Sequence, residues 1–163
     1  MQSMRLMRAT LAISTFIAAA TLAGCGSGPV KRVSEPAVGI QQLTVKADGQ
    51  WSVDVRIDNF SSLPMRFDTV TLVVTTGGEA AGTLSASPGI EIGPESADVV
   101  TVSLAPSSAA RIEVADALAS RRSLSYTLQG SVVATPDGGK PRTFQVDRGN
   151  SLNPAPGLPG VLR

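Results

Sequence analysis

The 163-residue chain contains no histidine, has a single cysteine, and only 4% of its residues are aromatic. Without histidine it cannot form a Ser-His-Asp triad, use a histidine general base or bind a metal through imidazole. Its one cysteine, Cys25, lies in a processing motif, which leaves no thiol for catalysis or for zinc. Phosphate-binding and dinucleotide-binding glycine patterns are also missing. We therefore predict a protein that is not an enzyme and that needs no metal or cofactor.

A serine–lysine nucleophile and carboxylate pairs are the remaining catalytic alternatives. The lysines do not favour the first, because Lys31 lies in the predicted tether and Lys46 and Lys140 border predicted turns. Asp54 and Asp58 fall on the polar face of one predicted strand and are four residues apart, so about 13 Å separates them at 3.3 Å per residue. Glycosidase pairs lie closer, roughly 5–9.5 Å apart. Asp48, Asp58 and Asp68 do not have the loop spacing of a calcium site. We interpret these carboxylates as parts of a solvated face and of turns.

The N-terminus has the pattern of a secretory signal. Arg5 and Arg8 precede an uncharged run from residue 9 to residue 24, which is shorter than the roughly 20 residues that span a bilayer. The next feature resembles the lipobox of bacterial lipoproteins and consists of Leu22, Ala23, Gly24 and Cys25. That resemblance implies cleavage before Cys25 and acylation of its thiol and its new amino group. An ordinary signal peptide with a coincidental cysteine is the alternative.

Lipidation predicts where the protein works. The expected partner is a lipid bilayer, bound through acylated Cys25, because two or more acyl chains anchor a protein stably. Gly26 stands where lipoproteins of the inner membrane usually carry Asp, so we expect the outer membrane, with the protein facing the periplasm. Cleavage leaves 12 basic and 13 acidic residues. Without a basic surplus, nucleic-acid binding has no electrostatic support.

The chain divides into four predicted segments. Residues 1–24 form the signal peptide, and residues 25–36 form the lipidated cysteine and a flexible tether. Residues 37–149 form the folded domain, and residues 150–163 form a Pro/Gly-rich tail that we expect to be extended or loose.

The folded segment has the alternation of β-strands. Its clearest run, from residue 51 to residue 58, alternates apolar and polar residues, which predicts a strand with one buried face. Asp48-Gly49 before this run is a hairpin signal. Trp51 and Tyr126 are interpreted as core residues, with ligand stacking as the alternative. Short spacings and turn residues elsewhere predict about seven strands in an all-β, antiparallel sandwich of the immunoglobulin or fibronectin-III type.

One short helix is predicted, from residue 109 to residue 121. Ser107 or Ser108 can cap it. We expect its apolar side to face the core, and this side contains Ile112, Ala115, Leu118 and Ala119.

Three segments together resemble the late embryogenesis abundant (LEA) type 2 domain, also called the water stress and hypersensitive response (WHy) domain. They are VDVRIDNFSSLPMRFDTVTLVV, EAAGTLSAS followed by ADVVTVSLAP, and SYTLQGSVVATPDGGKPRTFQVDRG. Asn59 and Pro64 match the family's Asn/Pro loop, although Asp58-Asn59-Phe60 replaces its usual Asn-Pro-Asn. The resemblance implies a β-sandwich and an association with desiccation or other stress. It brings no catalytic residues.

Two functions follow as hypotheses. The first is a non-enzymatic envelope lipoprotein that protects clients or lipid headgroups during desiccation or envelope stress. The second is a binding or adaptor module that docks an envelope protein or carries an apolar ligand. Candidate docking edges for the second are Val70–Val74 and the weak strand from residue 79 to residue 87. An apolar cavity or a long exposed edge would favour the second hypothesis.

Overall fold

The computed structural model describes residues 30–163. These residues form nine strands and one helix, separated by turns as the sequence suggests. The first six strands are β1 (Ala37–Val45), β2 (Trp51–Asn59), β3 (Met65–Thr76), β4 (Glu79–Ala86), β5 (Ile90–Ile92) and β6 (Ser96–Leu104). They are followed by helix α1 (Ser108–Ser120), β7 (Leu124–Pro136), β8 (Arg142–Leu152) and β9 (Val161–Leu162).

The strands form two antiparallel sheets. The first has the order β6-β2-β1-β9, and the second has the order β4-β3-β7-β8, with β5 continuing the β4 edge by pairing with β3. Their inner faces share one hydrophobic core. The predicted all-β sandwich is therefore confirmed.

Strand β2 shows why the sequence forms this fold. Its residues alternate between buried and more exposed positions along the whole strand, as the apolar/polar pattern predicts. Trp51 and Ile57 are 1% and 0% exposed, so the wide and the branched side chain both pack inside. The hairpin from β1 to β2 turns at Asp48-Gly49 as predicted, with Gly49 at a φ of 79°. Glycine suits that left-handed conformation because it has no Cβ to clash.

The two sheets are also joined by a buried hydrogen bond. The backbone N–H of Ile40 in β1 donates to the Tyr126 hydroxyl oxygen in β7 at 3.0 Å. Burial of this hydroxyl raises the pKa of Tyr126, while its bond to Ile40 acts in the opposite direction. Tyr126 is 3% exposed, so the prediction that it belongs to the core is confirmed.

Helix α1 differs from the prediction in the side that it buries. Of the predicted inner residues, Ile112 is 69% exposed, Ala115 and Ala119 are exposed, and Leu118 packs only partly against the core. The buried residues are instead Ala110, Val114 and Ala117. We attribute the difference to the small size of these buried residues, since small side chains let a helix approach a sheet closely. Ser107 is the N-cap, and its side chain accepts a hydrogen bond from the Ala110 N–H.

The C-terminal segment differs as well. Strand β8 continues to Leu152, beyond the predicted end of the domain at residue 149, and β9 pairs with β1 through Leu43 and Thr44. Leu162 is fully buried, so the end of the predicted tail belongs to the sandwich. Two residues are too few for a periodic signal, and three prolines precede them. Strand β5 was missed for a similar reason, because it has three residues between two Pro/Gly turns.

Of the two predicted docking edges, one is an edge of a sheet and the other is not. Val70–Val74 pairs with β4 on one side and β7 on the other, so its prediction as an edge is wrong. Strand β4 does lie at the edge of the second sheet. A run of Thr and Val suits either position, which is why the sequence does not separate an inner strand from an edge strand.

Candidate functional site

The loop of residues 59–64, called the Asn59 loop below, is organised around one buried amide. Asn59 is 1% exposed, and its Nδ2 lies 3.0, 3.0 and 2.9 Å from the carbonyl oxygens of Leu63, Ile92 and Gly93. Its Oδ1 accepts a hydrogen bond from the Ser61 N–H at 2.9 Å. One side chain therefore satisfies backbone groups from two separate segments, which would otherwise be buried without partners.

The Asn59 loop also holds the segment through which the chain joins the sandwich. Ser61 is fully buried, and its Oγ accepts a hydrogen bond from the Ser34 N–H at 3.0 Å. The Arg32 N–H donates to Ser62 Oγ at 2.8 Å, and the Ser62 N–H donates to the Arg32 carbonyl at 3.0 Å. The last residues of the predicted flexible tether are therefore bonded to the sandwich.

Pro64 has a structural place in the same loop. Its carbonyl accepts a hydrogen bond from the Asp137 N–H at 2.9 Å, which joins the Asn59 loop to the turn between β7 and β8. The two residues that match the LEA-type loop, Asn59 and Pro64, thus hold backbone together. Since the polar atoms of Asn59 are already bonded, the loop is better suited to rigidity than to ligand binding.

The carboxylates near this end are paired with neighbours. Asp68 accepts a hydrogen bond from Thr135 Oγ1 at 2.7 Å and forms an ion pair with Arg66 at 2.6 Å. The Thr135 hydroxyl is the main reason that the pKa of Asp68 is lowered. Asp58 is bonded to Arg56 within the exposed face of β2. In residues 30–163, no three His, Cys, Asp or Glu side chains gather as metal ligands.

An apolar groove lies at the other end of the sandwich. It has a volume of about 920 Å³ and runs between helix α1 and the segment from Asn153 to Gly160. On the side of the helix, the groove is lined by Ala115, Leu118, Ala119 and Arg121. A smaller cleft of about 250 Å³ adjoins it, since Ala115 and Leu118 line both. We call the two together the helix groove; ligand pockets are typically about 300–1,000 Å³.

The far wall of the helix groove is fixed at its base and exposed at its rim. The Val45 N–H donates to the Gly160 carbonyl at 2.8 Å, and the Ala155 N–H donates to the Val161 carbonyl at 2.8 Å. Between these bonds, Leu158 is 45% exposed. The wall is thus held in place while its apolar side chains remain open to a ligand.

Trp51 contributes to the smaller cleft. It is 1% exposed and packs in the core, as predicted, yet it lines this cleft together with Val45, Val114 and Arg111. Sequence reasoning did not find the groove. The signal was present in the apolar stripe of α1, which was assigned to the core, because periodicity does not tell which of two apolar sides is covered.

The two regions lie at opposite ends of one hairpin. Ala37 of β1 pairs with Asp58 beside the Asn59 loop, whereas Val45 pairs with Trp51 beside the groove. Eight residue steps of strand separate Ala37 from Val45, or about 26 Å at 3.3 Å per residue. The end that receives the N-terminal segment is therefore far from the groove.

Several predicted features lie outside the described residues. They are the signal peptide of residues 1–24, the lipobox residues Leu22, Ala23 and Gly24, the lipidated Cys25, and the tether up to residue 29. Within residues 30–163, no helix has the length and apolar character needed to cross a membrane.

Solved structures resemble this fold at low identity. A protein from Bordetella pertussis, described as a candidate ApaA protein, is 16% identical with a TM-score of 0.48, over 80% of this chain and 100% of that one. A protein from Arabidopsis thaliana is 15% identical with a TM-score of 0.45, over 78% and 83%. A candidate LEA protein is 12% identical with a TM-score of 0.44, over 98% and 87%.

No protein-family model and no curated protein matches the chain. At these identities and TM-scores, the likeness to solved structures carries no inference about function.

Proposed function

We propose that this protein is a lipid-anchored, non-enzymatic binding module of the cell envelope, and that the helix groove takes up an apolar ligand. The observation that supports this proposal is the groove itself, whose lining is more apolar than polar and, in the smaller cleft, almost wholly apolar. A concave, largely apolar site with few polar groups is the usual form of a small-molecule site. The sequence left shielding and binding open, and the open groove is the feature that favours binding.

The position of the groove is consistent with an anchor on Cys25. The chain joins the sandwich at the Asn59 loop, where Arg32 and Ser34 are bonded to Ser62 and Ser61. A lipid on Cys25 therefore attaches through the loop end of the domain. The groove lies at the far end of the β1–β2 hairpin from this attachment.

The anchor is tested by metabolic labelling with an alkyne derivative of palmitate, followed by membrane fractionation. We expect the full chain to carry the label and to sediment with the outer membrane. Cys25→Ser removes the acyl acceptor, so it should abolish the label and release the protein from the membrane. Equal labelling of this variant would refute lipidation at Cys25.

The groove is tested with the full chain on phosphatidylcholine vesicles and an uncharged photoreactive probe, the methyl ester of a diazirine fatty acid. We expect cross-links on Ala115–Arg121 and on residues 153–160. Leu158→Asp should reduce them severalfold, because a carboxylate at the rim must be desolvated when an apolar chain binds. Phe60→Asp is the matched control, since Phe60 is 50% exposed at the opposite end. Equal loss in both variants, or no cross-links in the groove, would contradict the proposal.

Direct protection during desiccation or envelope stress is a second candidate function. It is supported by the sequence resemblance to the LEA type 2 domain and by the place of Asn59 and Pro64 in the matching loop. We would dry and freeze–thaw a labile enzyme with the full chain on vesicles, and compare it with an equal mass of inert protein. Survival well above that control would support protection, and equal survival would exclude the direct form.

A further inference from the structure

The helix groove has an arginine at each end. Arg111 lines the smaller cleft and Arg121 lines the larger groove, and ten residues of α1 separate them, or about 15 Å at 1.5 Å per residue. Neither guanidinium has an ion pair or a side-chain hydrogen bond within the described part of the chain. Within residues 30–163, no side chain neutralises the positive charge of this groove.

The acidic residues of the same helix do not supply that neutralisation. Glu113 and Asp116 both pair with Arg122, which follows the helix. The Arg122 hydrogen bond is the main cause of the lowered pKa of Asp116, so this carboxylate is already engaged. A ligand that brings its own negative charge would complement Arg111 or Arg121.

We infer that the helix groove binds a single-chain anionic amphiphile of the fatty-acid class, with its carboxylate at Arg111 and its chain along Ala115, Leu118 and Ala119. This inference rests on the proposed function, because it names the ligand class of the same groove. An apolar chain needs the continuous apolar lining, and a carboxylate needs a cation that is not already paired.

Arg111 is favoured over Arg121 by its place on the helix. Arg111 lies in the N-terminal part of α1, where the helix dipole favours an anion. Arg121 is the C-cap, beside carbonyl groups whose partial negative charge opposes an anion and favours the arginine itself. Arg111 also lies close to the hairpin turn. If Gly49 had a side chain, its Cβ would lie 3.6 Å from Nη1 of Arg111. The carboxylate of the ligand is thereby placed between the Asp48-Gly49 turn and helix α1.

The inner end of the path that the ligand's acyl chain would follow is also apolar. The cleft that contains Arg111 is lined by Val45, Trp51 and Val114, and it opens into the larger groove at Ala115 and Leu118. A chain that begins at Arg111 can therefore follow the helix towards Leu158 without crossing a charged side chain until Arg121. A two-chain phospholipid would have to place its second chain outside this single path.

The test uses the full chain on phosphatidylcholine vesicles and two photoreactive probes, a diazirine fatty acid and its methyl ester. We expect the acid to label Ala115–Arg121 and residues 153–160 about tenfold more than the ester, as expected for a charge-assisted hydrogen bond. Arg111→Gln should remove that preference and leave labelling by the ester unchanged. Arg142→Gln is the matched control, because it removes the same charge from an exposed position on β8 near the other end.

A second variant tests the path of the chain. Ala115→Glu places a carboxylate where the two parts of the groove meet, and Glu is well tolerated on an exposed helical surface. We expect it to reduce labelling by the acid at least as much as Arg111→Gln does. Circular dichroism melting curves would verify that both variants fold.

The outcomes separate the two proposals. Equal groove labelling by acid and ester would overturn the anionic ligand and leave an apolar binding module. Loss of the preference in Arg121→Gln alone would overturn the placement of the head group at Arg111. Absence of groove labelling by either probe would overturn both the ligand class and the proposed function.

Discussion

The two ends of the sandwich use their side chains in opposite ways. At the Asn59 loop, a buried amide and a buried hydroxyl bond the backbone of three segments, which include Ser34 and residues 92–93. At the helix groove, Ala115, Ala119 and Leu158 are exposed, and two guanidinium groups have no side-chain partner within the described chain.

This difference separates stability from binding. Buried polar groups that are fully bonded rigidify the structure and are costly to alter. Exposed apolar side chains contribute little to folding but retain surface for a ligand. We therefore expect substitutions at the loop end to change the free energy of unfolding, and substitutions at the rim of the groove to change binding.

The largest effect is expected for Asn59→Ala. It leaves the carbonyl groups of Leu63, Ile92 and Gly93 without their donor, so the free energy of unfolding should fall by about 3–4 kcal/mol. Guanidinium unfolding can be followed by the fluorescence of Trp51, the only tryptophan. Asn150→Ala, at an exposed position on β8, is the control and should change this free energy by less than about 0.5 kcal/mol. Similar losses of stability in both variants would contradict the stabilising role of the Asn59 loop.

A smaller loss is expected for Ser61→Ala. The Ser34 N–H loses its acceptor, which should lower the free energy of unfolding by about 1–2 kcal/mol. In the variant, hydrogen exchange should become faster at Ser34 and should change less in the centre of β2. Ser103→Ala, on the exposed face of β6, is the control. Unchanged exchange at Ser34 would show that Ser61 does not hold the joining segment.

At the groove end, Ser107→Ala tests how firmly α1 is fixed. The Ser107 hydroxyl accepts from the Ala110 N–H and donates to the Ala80 carbonyl at 2.7 Å, so its loss should lower the free energy of unfolding by about 1 kcal/mol. Ser108→Ala should have little effect, because the cap is Ser107. The reverse order in thermal melting would contradict the cap assignment.

The smallest effects concern pH. The pKa values of Asp68, near the loop end, and Asp116, near the groove, are lowered in the folded protein by hydrogen bonds from Thr135 and Arg122 respectively. The stability that each adds is present above the unfolded-state pKa and is lost as the pH falls through the folded-state pKa. Asp68→Asn and Asp116→Asn should therefore weaken the protein at neutral pH and make no difference in acid.

Urea unfolding at several pH values measures this prediction. The effect at Asp116 should also shrink with salt, since its side chain is 54% exposed, whereas that of Asp68 is 20% exposed. A difference from wild type that persists below the folded-state pKa would mean that the substitutions act by another route.

Much of the sandwich could be predicted because period-two alternation is a local signal. Strand β2, the Asp48-Gly49 hairpin and the burial of Tyr126 all follow from it. The alternation of Val100, Val102 and Leu104 with Thr101 and Ser103 predicts only the second half of β6. Residues 96–100 are not buried in alternation, so no pattern marks the first half. Strand β9 depends on pairing with residues more than a hundred positions away, which no local pattern encodes.

The candidate site was less predictable than the fold. Asn59 was found through a family resemblance, but its role depends on carbonyl groups 33 and 34 residues away. The groove could not be predicted, because it exists only where residues 153–160 come back beside α1. The apolar stripe of Ala115, Leu118 and Ala119 was visible in the sequence, and only the tertiary fold shows that Ala115 and Ala119 stay exposed and that Leu118 is partly buried.

The most direct test of the division between the two ends is amide hydrogen exchange of the full chain on vesicles, with and without the diazirine-free fatty-acid methyl ester. We predict slower exchange in residues 115–121 and 153–160 when the ester is present, and no change in residues 59–64. Protection at the Asn59 loop, or no protection at the groove, would contradict the account.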